Sequence, residues 1–71
     1  MADQRVIVTV DGQKARKLED ELARLKRQGL QIEQLQTTLG VTHIVGRFQG
    51  SHEELNSEGV VAEPEGWMTE T

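Results

Sequence analysis

The side chains that could carry out chemistry are few, and their spacing does not favour a catalytic site. Ser51 directly precedes His52, but adjacent residues rarely reach the geometry that a nucleophile and its general base require. Ser51 also begins a capping-box pattern that continues through Glu53 and Glu54, and a helix N-cap is the simpler role for its hydroxyl. We therefore predict that the chain has no catalytic residue and is not an enzyme.

Metal and cofactor sites are equally unsupported by the sequence. The chain contains no Cys, and its two His, His43 and His52, do not have the spacing of a metal-binding pair. The neighbouring carboxylates Glu63 and Glu65 are expected to be charged and solvated rather than to share a proton. The glycines between positions 40 and 50 do not follow a dinucleotide-binding or Walker pattern. We predict no metal and no cofactor.

The charge is divided unevenly along the chain. The net charge is -4, yet residues 1–48 carry all eight Lys and Arg against six acids, and residues 49–71 carry six Glu and no Lys or Arg. Phosphate backbones would repel this acidic end, and an RNA-binding sheet would need more aromatic residues than Phe48 and Trp67. We predict no nucleic-acid partner, and instead a protein with a basic patch or exposed helix N-termini.

The sequence shows no sign of a membrane span. No apolar run approaches the roughly 20 residues that a membrane-spanning helix needs. The first five residues have neither the basic nor the apolar region of a signal peptide. We therefore expect no membrane partner and a cytoplasmic location, or an unknown one if the segment was excised from a secreted precursor.

The first predicted element is a strand at Arg5–Val10, which is β-branched at every position but its first. Its three valines alternate with other residues, so they would face one side of a sheet. Asp11 and Gly12 then indicate a turn, and Asp11 could also cap the helix that follows.

The second predicted element is an amphipathic helix over Lys14–Gln28. Gly29 follows it in the position of a left-handed C-terminal cap. Apolar residues recur at spacings of three and four and form one stripe along the helix. The stripe, which we expect to pack on a sheet rather than to form a dimer seam, consists of Ala15, Leu18, Leu22 and Leu25.

The rest of the chain predicts three more strands and one short helical segment. A slip in the alternation of the second strand indicates a bulge, Gly40 permits a tight turn after it, and Pro64 ends the fourth strand or marks a sheet edge. The predicted elements are strand 2 at Leu30–Leu39, strand 3 at Thr42–Phe48, a short helix at Ser51–Asn56 and strand 4 at Val60–Glu63.

Together these elements predict an α+β fold with the order β-α-β-β-(α)-β. A ferredoxin-like sandwich suits this order: a four-stranded antiparallel sheet with helices on one face. We expect a single domain over residues 1–65 and a flexible C-terminal tail over residues 66–71. The opposite face of the sheet would stay open and is the natural docking surface.

The sequence resembles the subtilase propeptide and proteinase-inhibitor family over about residues 5–65. Four features carry this resemblance: the opening strand, the helix that ends at Gly29, and the segments Ile44–Phe48 and Gly59–Glu63. Two departures are present, since the second helix is shorter than is usual in the family and Pro64 follows Glu63 directly.

The resemblance implies a mode of action. Family members lay the open sheet face on two surface helices of a subtilisin-like serine protease, cap those helices with an acidic residue near the last strand, and send the tail into the substrate cleft. The chain would then be an inhibitor or a folding chaperone of such a protease. The partner-binding residues implied here are Glu63, Glu65, Gly66, Trp67, Met68, Thr69, Glu70 and Thr71.

A second hypothesis does not need a protease. A ferredoxin-like domain of this size could be a regulatory or interaction module that forms a homodimer through sheet edges or sheet faces. The sequence leaves both hypotheses open, and with them the choice between a monomer and a weak homodimer.

Overall fold

The structure is an α+β arrangement, and the computed structural model describes residues 3–65. A four-stranded sheet is accompanied by one α-helix and one 3-10 turn. The elements are β1 (Gln4–Asp11), α1 (Leu18–Arg27), β2 (Gln31–Thr38), β3 (Val41–Phe48), the 3-10 turn His52–Leu55 and β4 (Val60–Pro64).

All four strands form one antiparallel sheet, as the sequence predicted. The spatial order is β2-β3-β1-β4, so β1 and β3 are central and β2 and β4 are the edges. Val8 pairs with Ile44 of β3 on one side and with Ala62 of β4 on the other. The first strand of the chain therefore lies between the last two strands and is paired with both.

The three valines of β1 form the centre of the core. Val6, Val8 and Val10 are at most 2% exposed, while Ile7 and Thr9 between them are only half-buried. This alternation confirms the predicted two-sided strand. The buried cluster also includes residues from β3, β4, α1 and the connecting segments: Leu25, Leu30, Ile44, Phe48, Leu55, Val60 and Ala62.

Helix α1 is shorter than predicted, because its first turn is replaced by a hydrogen-bonded turn after β1. The Asp11 carboxylate accepts a hydrogen bond from the Gln13 N–H at 2.9 Å, and the Asp11 carbonyl accepts from Lys14 and Ala15 at 3.1 and 2.9 Å. The helix therefore begins at Leu18 rather than Lys14. Asp11 stabilises that turn instead of capping the helix.

The end of α1 agrees with the predicted glycine cap. Gly29 has φ +106°, its N–H bonds to the Lys26 carbonyl, and the Leu30 N–H bonds to the Leu25 carbonyl, both at 3.0 Å. This is a Schellman motif, in which a left-handed residue satisfies the last carbonyls of the helix. It turns the chain back so that Leu30, directly before β2, is buried.

The β2–β3 hairpin contains both predicted irregularities. Its register shifts between Ile32 and Gln34, which confirms the bulge. The strands are joined by Leu39 and Gly40 with φ +53° and +80°, the left-handed pair of a type I′ turn. Strand β2 therefore ends at Thr38, one residue before the predicted end.

The predicted second helix is a single 3-10 turn. The Ser51 hydroxyl accepts from the Glu53 N–H at 3.3 Å, which confirms the N-cap. Leu55 is fully buried beneath this turn, and the Asn56 side-chain carbonyl accepts from the Ala62 N–H of β4 at 2.7 Å. The short helical segment predicted at Ser51–Asn56 is therefore present as one turn, His52–Leu55.

Replacing Leu39 should stabilise the protein. Leu39 is 97% exposed and adopts a left-handed conformation, which Asn tolerates better than a residue with a larger aliphatic side chain. We expect Leu39→Asn to raise the free energy of unfolding by about 1 kcal/mol, measured by urea denaturation. Thr38→Asn is the matched control, because Thr38 is exposed in extended backbone; equal effects of the two changes would contradict this explanation.

Candidate protein-docking face

The side of the sheet opposite the core forms a continuous surface, called here the open face. Alternation along the paired strands assigns its members. Within residues 3–65, each of them is exposed or half-buried and none is buried. The open face consists of Arg5, Ile7 and Thr9 of β1, Gln34, Gln36 and Thr38 of β2, His43, Val45 and Arg47 of β3, and Val61 and Glu63 of β4.

Aliphatic side chains lie near the centre of the open face. Ile7 pairs directly with Val45 of β3 and with Glu63 of β4. Both Ile7 and Val45 are half-buried, and Val61 on the neighbouring edge strand is 53% exposed. These β-branched residues would bury further apolar surface only if another molecule covered them.

The polar part of the open face consists of amide, hydroxyl and imidazole side chains. His43 lies on the central strand β3, where Thr9 and Gln36 are its neighbours across the two ladders. A shallow depression beside it is lined by Gln34, Leu35, Gln36, His43 and Val45. Within residues 3–65, no group of three His, Cys, Asp or Glu is placed to hold a metal ion.

One end of the open face carries a cluster of four charged side chains. Glu33, the residue in the β2 bulge, lies 3.2 Å from Arg5 and 3.0 Å from Arg47 through its two carboxylate oxygens. Arg5 also donates to Glu65 at 2.8 Å. Since Arg5 and Arg47 are paired across β1 and β3, the bulge places the carboxylate of Glu33 against both guanidinium groups.

The two predicted acidic residues differ in their surroundings. Glu63 lies on the open face beside Ile7 and is half-buried, with no ion pair to a residue in the described part of the chain. Glu65 already pairs with Arg5. The remaining predicted contact residues, Gly66 to Thr71, lie outside the described residues.

A second charged network lies on the helix side, and the sequence predicts only its local ion pairs. Glu21 is 2% exposed and accepts from the Arg24 guanidinium at 3.0 Å. Arg24 also donates to the Leu55 carbonyl and the Ser57 hydroxyl, both at 3.2 Å. The Gln28 side chain donates to the Glu54 carbonyl at 3.0 Å. These bonds attach α1 to the segment around the 3-10 turn.

Sequence signals for these contacts were incomplete. Glu21 and Arg24 stand three residues apart on a helix, a spacing that predicts a local pair but not the bonds to Leu55 and Ser57. Glu33 coincides with the slip in alternation that predicted the bulge. That slip could have indicated that the Glu33 side chain changes direction. Its partners Arg5 and Arg47, however, become its neighbours only in the folded sheet.

Comparisons with known proteins do not assign this chain to a family. A scan against protein-family models, a search of curated proteins and a search of solved structures gave no match to this chain. No helix in the described part of the chain is long and apolar enough to cross a membrane.

Removing the charge of Glu33 should have a small, salt-dependent effect on stability. Its ion pairs are more than a third exposed, so we expect Glu33→Gln to lower the free energy of unfolding by about 0.5 kcal/mol. The difference should shrink in high salt, because salt screens exposed charges. Glu58→Gln, another exposed Glu, serves as the control in urea titrations; a loss that salt leaves unchanged would show that Glu33 acts through packing instead.

Proposed function

We propose that this chain is a protein-binding domain that docks through its open face, and that it acts as a propeptide-like inhibitor or folding chaperone of a subtilisin-like serine protease. The observation that supports this proposal most is the lack of cover over the open face among residues 3–65. Residues 3–65 cover one side of the sheet, and the other side presents aliphatic side chains next to polar ones.

The topology is compatible with this class of domain. The element order β-α-β-β-turn-β and the strand order β2-β3-β1-β4 support a ferredoxin-like assignment in which the second helix is reduced to the 3-10 turn. That reduction affects the helix side of the sheet. The surface required for docking lies on the opposite side and does not depend on the length of the missing helix.

Docking would be driven mainly by the aliphatic centre of the face. Covering Ile7, Val45 and Val61 would remove their exposed apolar surface from water, which contributes roughly 25 cal/mol per Å². The surrounding Gln, Thr and His side chains can exchange hydrogen bonds with water for bonds to a partner. Such an arrangement of an apolar centre and a polar rim is typical of protein interfaces.

Glu63 is the better of the two acidic residues for contact with helix N-termini of the protease. It lies on the open face next to Ile7, and a carboxylate at a helix N-terminus contributes about 0.3–1 kcal/mol. Glu65 would first have to leave Arg5, to which it is bonded at 2.8 Å. We therefore assign the helix-capping role to Glu63 and a supporting role to the Arg5–Glu65 pair.

The tail has a suitable point of departure. Strand β4 lies at a sheet edge and ends at Pro64, so the described part of the chain ends at the border of the open face. In the proposed complex, residues 66–71 enter the substrate cleft as an added strand, which supplies main-chain hydrogen bonds without a demanding side-chain sequence.

A charge placed at the centre of the open face should abolish inhibition. We expect the full chain to inhibit a subtilisin-like protease in a competitive peptide-hydrolysis assay, and Val45→Glu to raise the inhibition constant by about tenfold or more, because a buried carboxylate would remain unpaired. Ala23→Glu is the matched control, since Ala23 is exposed on α1 and the added charge is the same. Equal inhibition by both variants would remove the open face from the interface.

Removing residues 66–71 should separate docking from cleft blocking. We expect the shortened chain to bind the protease, measured by calorimetry, but to inhibit hydrolysis less than the full chain. Circular dichroism would verify that the shortened chain keeps its fold. If neither chain inhibits any subtilisin-like protease, binds it or assists its refolding, the proposed function is wrong and only the fold description stands.

A further inference from the structure

The two edges of the sheet are protected to different extents. Edge strand β4 is five residues long, carries Glu63 and ends in Pro64, and both charge and proline discourage pairing with another strand. Edge strand β2 is eight residues long, and its segment Gln34–Thr38 contains neither a charged residue nor a proline. Strand β2 therefore offers an accessible template for an added strand.

The turn geometry shows which backbone groups of β2 point outward. In a hairpin closed by a two-residue type I′ turn, the residues that flank the turn exchange hydrogen bonds, and bonding then alternates along the ladder. Thr38 is the flanking residue, so Thr38, Gln36 and Gln34 direct their N–H and C=O groups toward β3. Leu35 and Thr37 direct theirs away from the sheet.

A side-chain contact supports this assignment of hydrogen-bonded and non-hydrogen-bonded pairs along β2 and β3. The hydroxyls of Thr37 and Thr42 lie 2.8 Å apart across β2 and β3. Such close side-chain contact is typical of the non-hydrogen-bonded pairs of an antiparallel ladder. Thr37 is paired with Thr42 in the register, which is consistent with outward backbone groups at Thr37.

We propose that β2 pairs with β2 of a second copy of this chain, antiparallel and with the twofold axis at Gln36. In this register Leu35 lies opposite Thr37 of the other copy and Thr37 lies opposite Leu35. Both pairs are hydrogen-bonded, so all outward N–H and C=O groups of the two residues find partners. Gln36 lies opposite itself as a non-hydrogen-bonded pair.

Charge favours a second copy as the occupant of this edge. Each copy has a net charge of -4. Glu63 lies on β4, at the other end of the strand order from β2, and Glu65 follows β4 and pairs with Arg5 of β1. The proposed register pairs only uncharged residues between Gln34 and Thr38. Two copies can thus meet where their like charges repel least.

The short length of the contact sets its strength. Pairing of five residues at one edge buries less surface than the roughly 1,200 Å² of a standard stable interface, so the dimer is weak and depends on concentration. The partner helices lie on the same side of the resulting eight-stranded sheet. Both open faces remain uncovered on the other side, so this inference does not depend on the proposed function.

A single introduced cysteine tests the register directly, because the chain has no cysteine of its own. Opposed residues of a non-hydrogen-bonded pair have Cα atoms about 4.5 Å apart, within the range of about 4.4–6.8 Å that a disulfide spans. We expect Gln36→Cys to form a covalent dimer under mild oxidation, measured on non-reducing gels, and to do so far more than Thr38→Cys, whose counterpart is Gln34 of the other copy.

A third variant separates an edge dimer from a face dimer. His43→Cys lies on the open face at the central strand β3, away from the β2 edge. Preferential crosslinking at residue 43, or equal crosslinking of all three variants, would overturn the proposal. The proposal would also be overturned if sedimentation equilibrium showed the unmodified chain to be monomeric up to millimolar concentration. A dimer that Leu35→Lys does not weaken would overturn it as well. Pairing of β2 with an unrelated extended peptide, but not with itself, would likewise contradict the choice of occupant.

Discussion

The one-sided burial of the central strand β1 is the constraint on which the rest of the structure depends. Val6, Val8 and Val10 are buried against β3, β4 and α1, and the residues between them must then face the other way. A shift of one residue in register would exchange the core and the open face. The same alternation therefore accounts for the stability of the domain and for the surface available to a partner.

The small size of the domain makes its polar contacts structurally important. A chain of 71 residues buries a modest fraction of its surface, and here a 3-10 turn stands where a second helix could have added core. Arg24 compensates by joining Glu21 of α1 to Leu55 and Ser57. Because Glu21 is buried, loss of this guanidinium would leave its carboxylate with only the longer ion pair to Arg16, at 3.9 Å, which is costlier than loss of an exposed pair.

Charge and edge protection divide the molecule into two ends. The β4 edge carries Glu63 and Pro64, and the β2 edge is uncharged between Gln34 and Thr38. The open face connects the two. The proposed contact with a protease would use the side chains of the open face and the β4 border. The proposed contact with a second copy would use the outward main-chain groups of β2, so the two contacts could occur together.

The sequence by itself determined the features that arise from neighbouring residues. The alternation of β1, the glycine cap after α1, the bulge in β2 and the Ser51 cap all follow from residue types within a few positions of each other, and the structure agrees with them. The predicted start of α1 was wrong because two local preferences compete there: the apolar spacing that begins at Ala15 favours a helix, and Asp11 favours a turn whose hydrogen bonds prevail.

Only the tertiary structure decided which distant residues meet. The cluster of Arg5, Glu33, Arg47 and Glu65 unites four separated parts of the chain. Arg24, the partner of Glu21, likewise meets Leu55 and Ser57 only in the folded chain. The identity of the exposed edges depends on strand order, which no single strand encodes. These features arise from pairing between remote segments, whose free energy depends on the whole sheet rather than on local propensity.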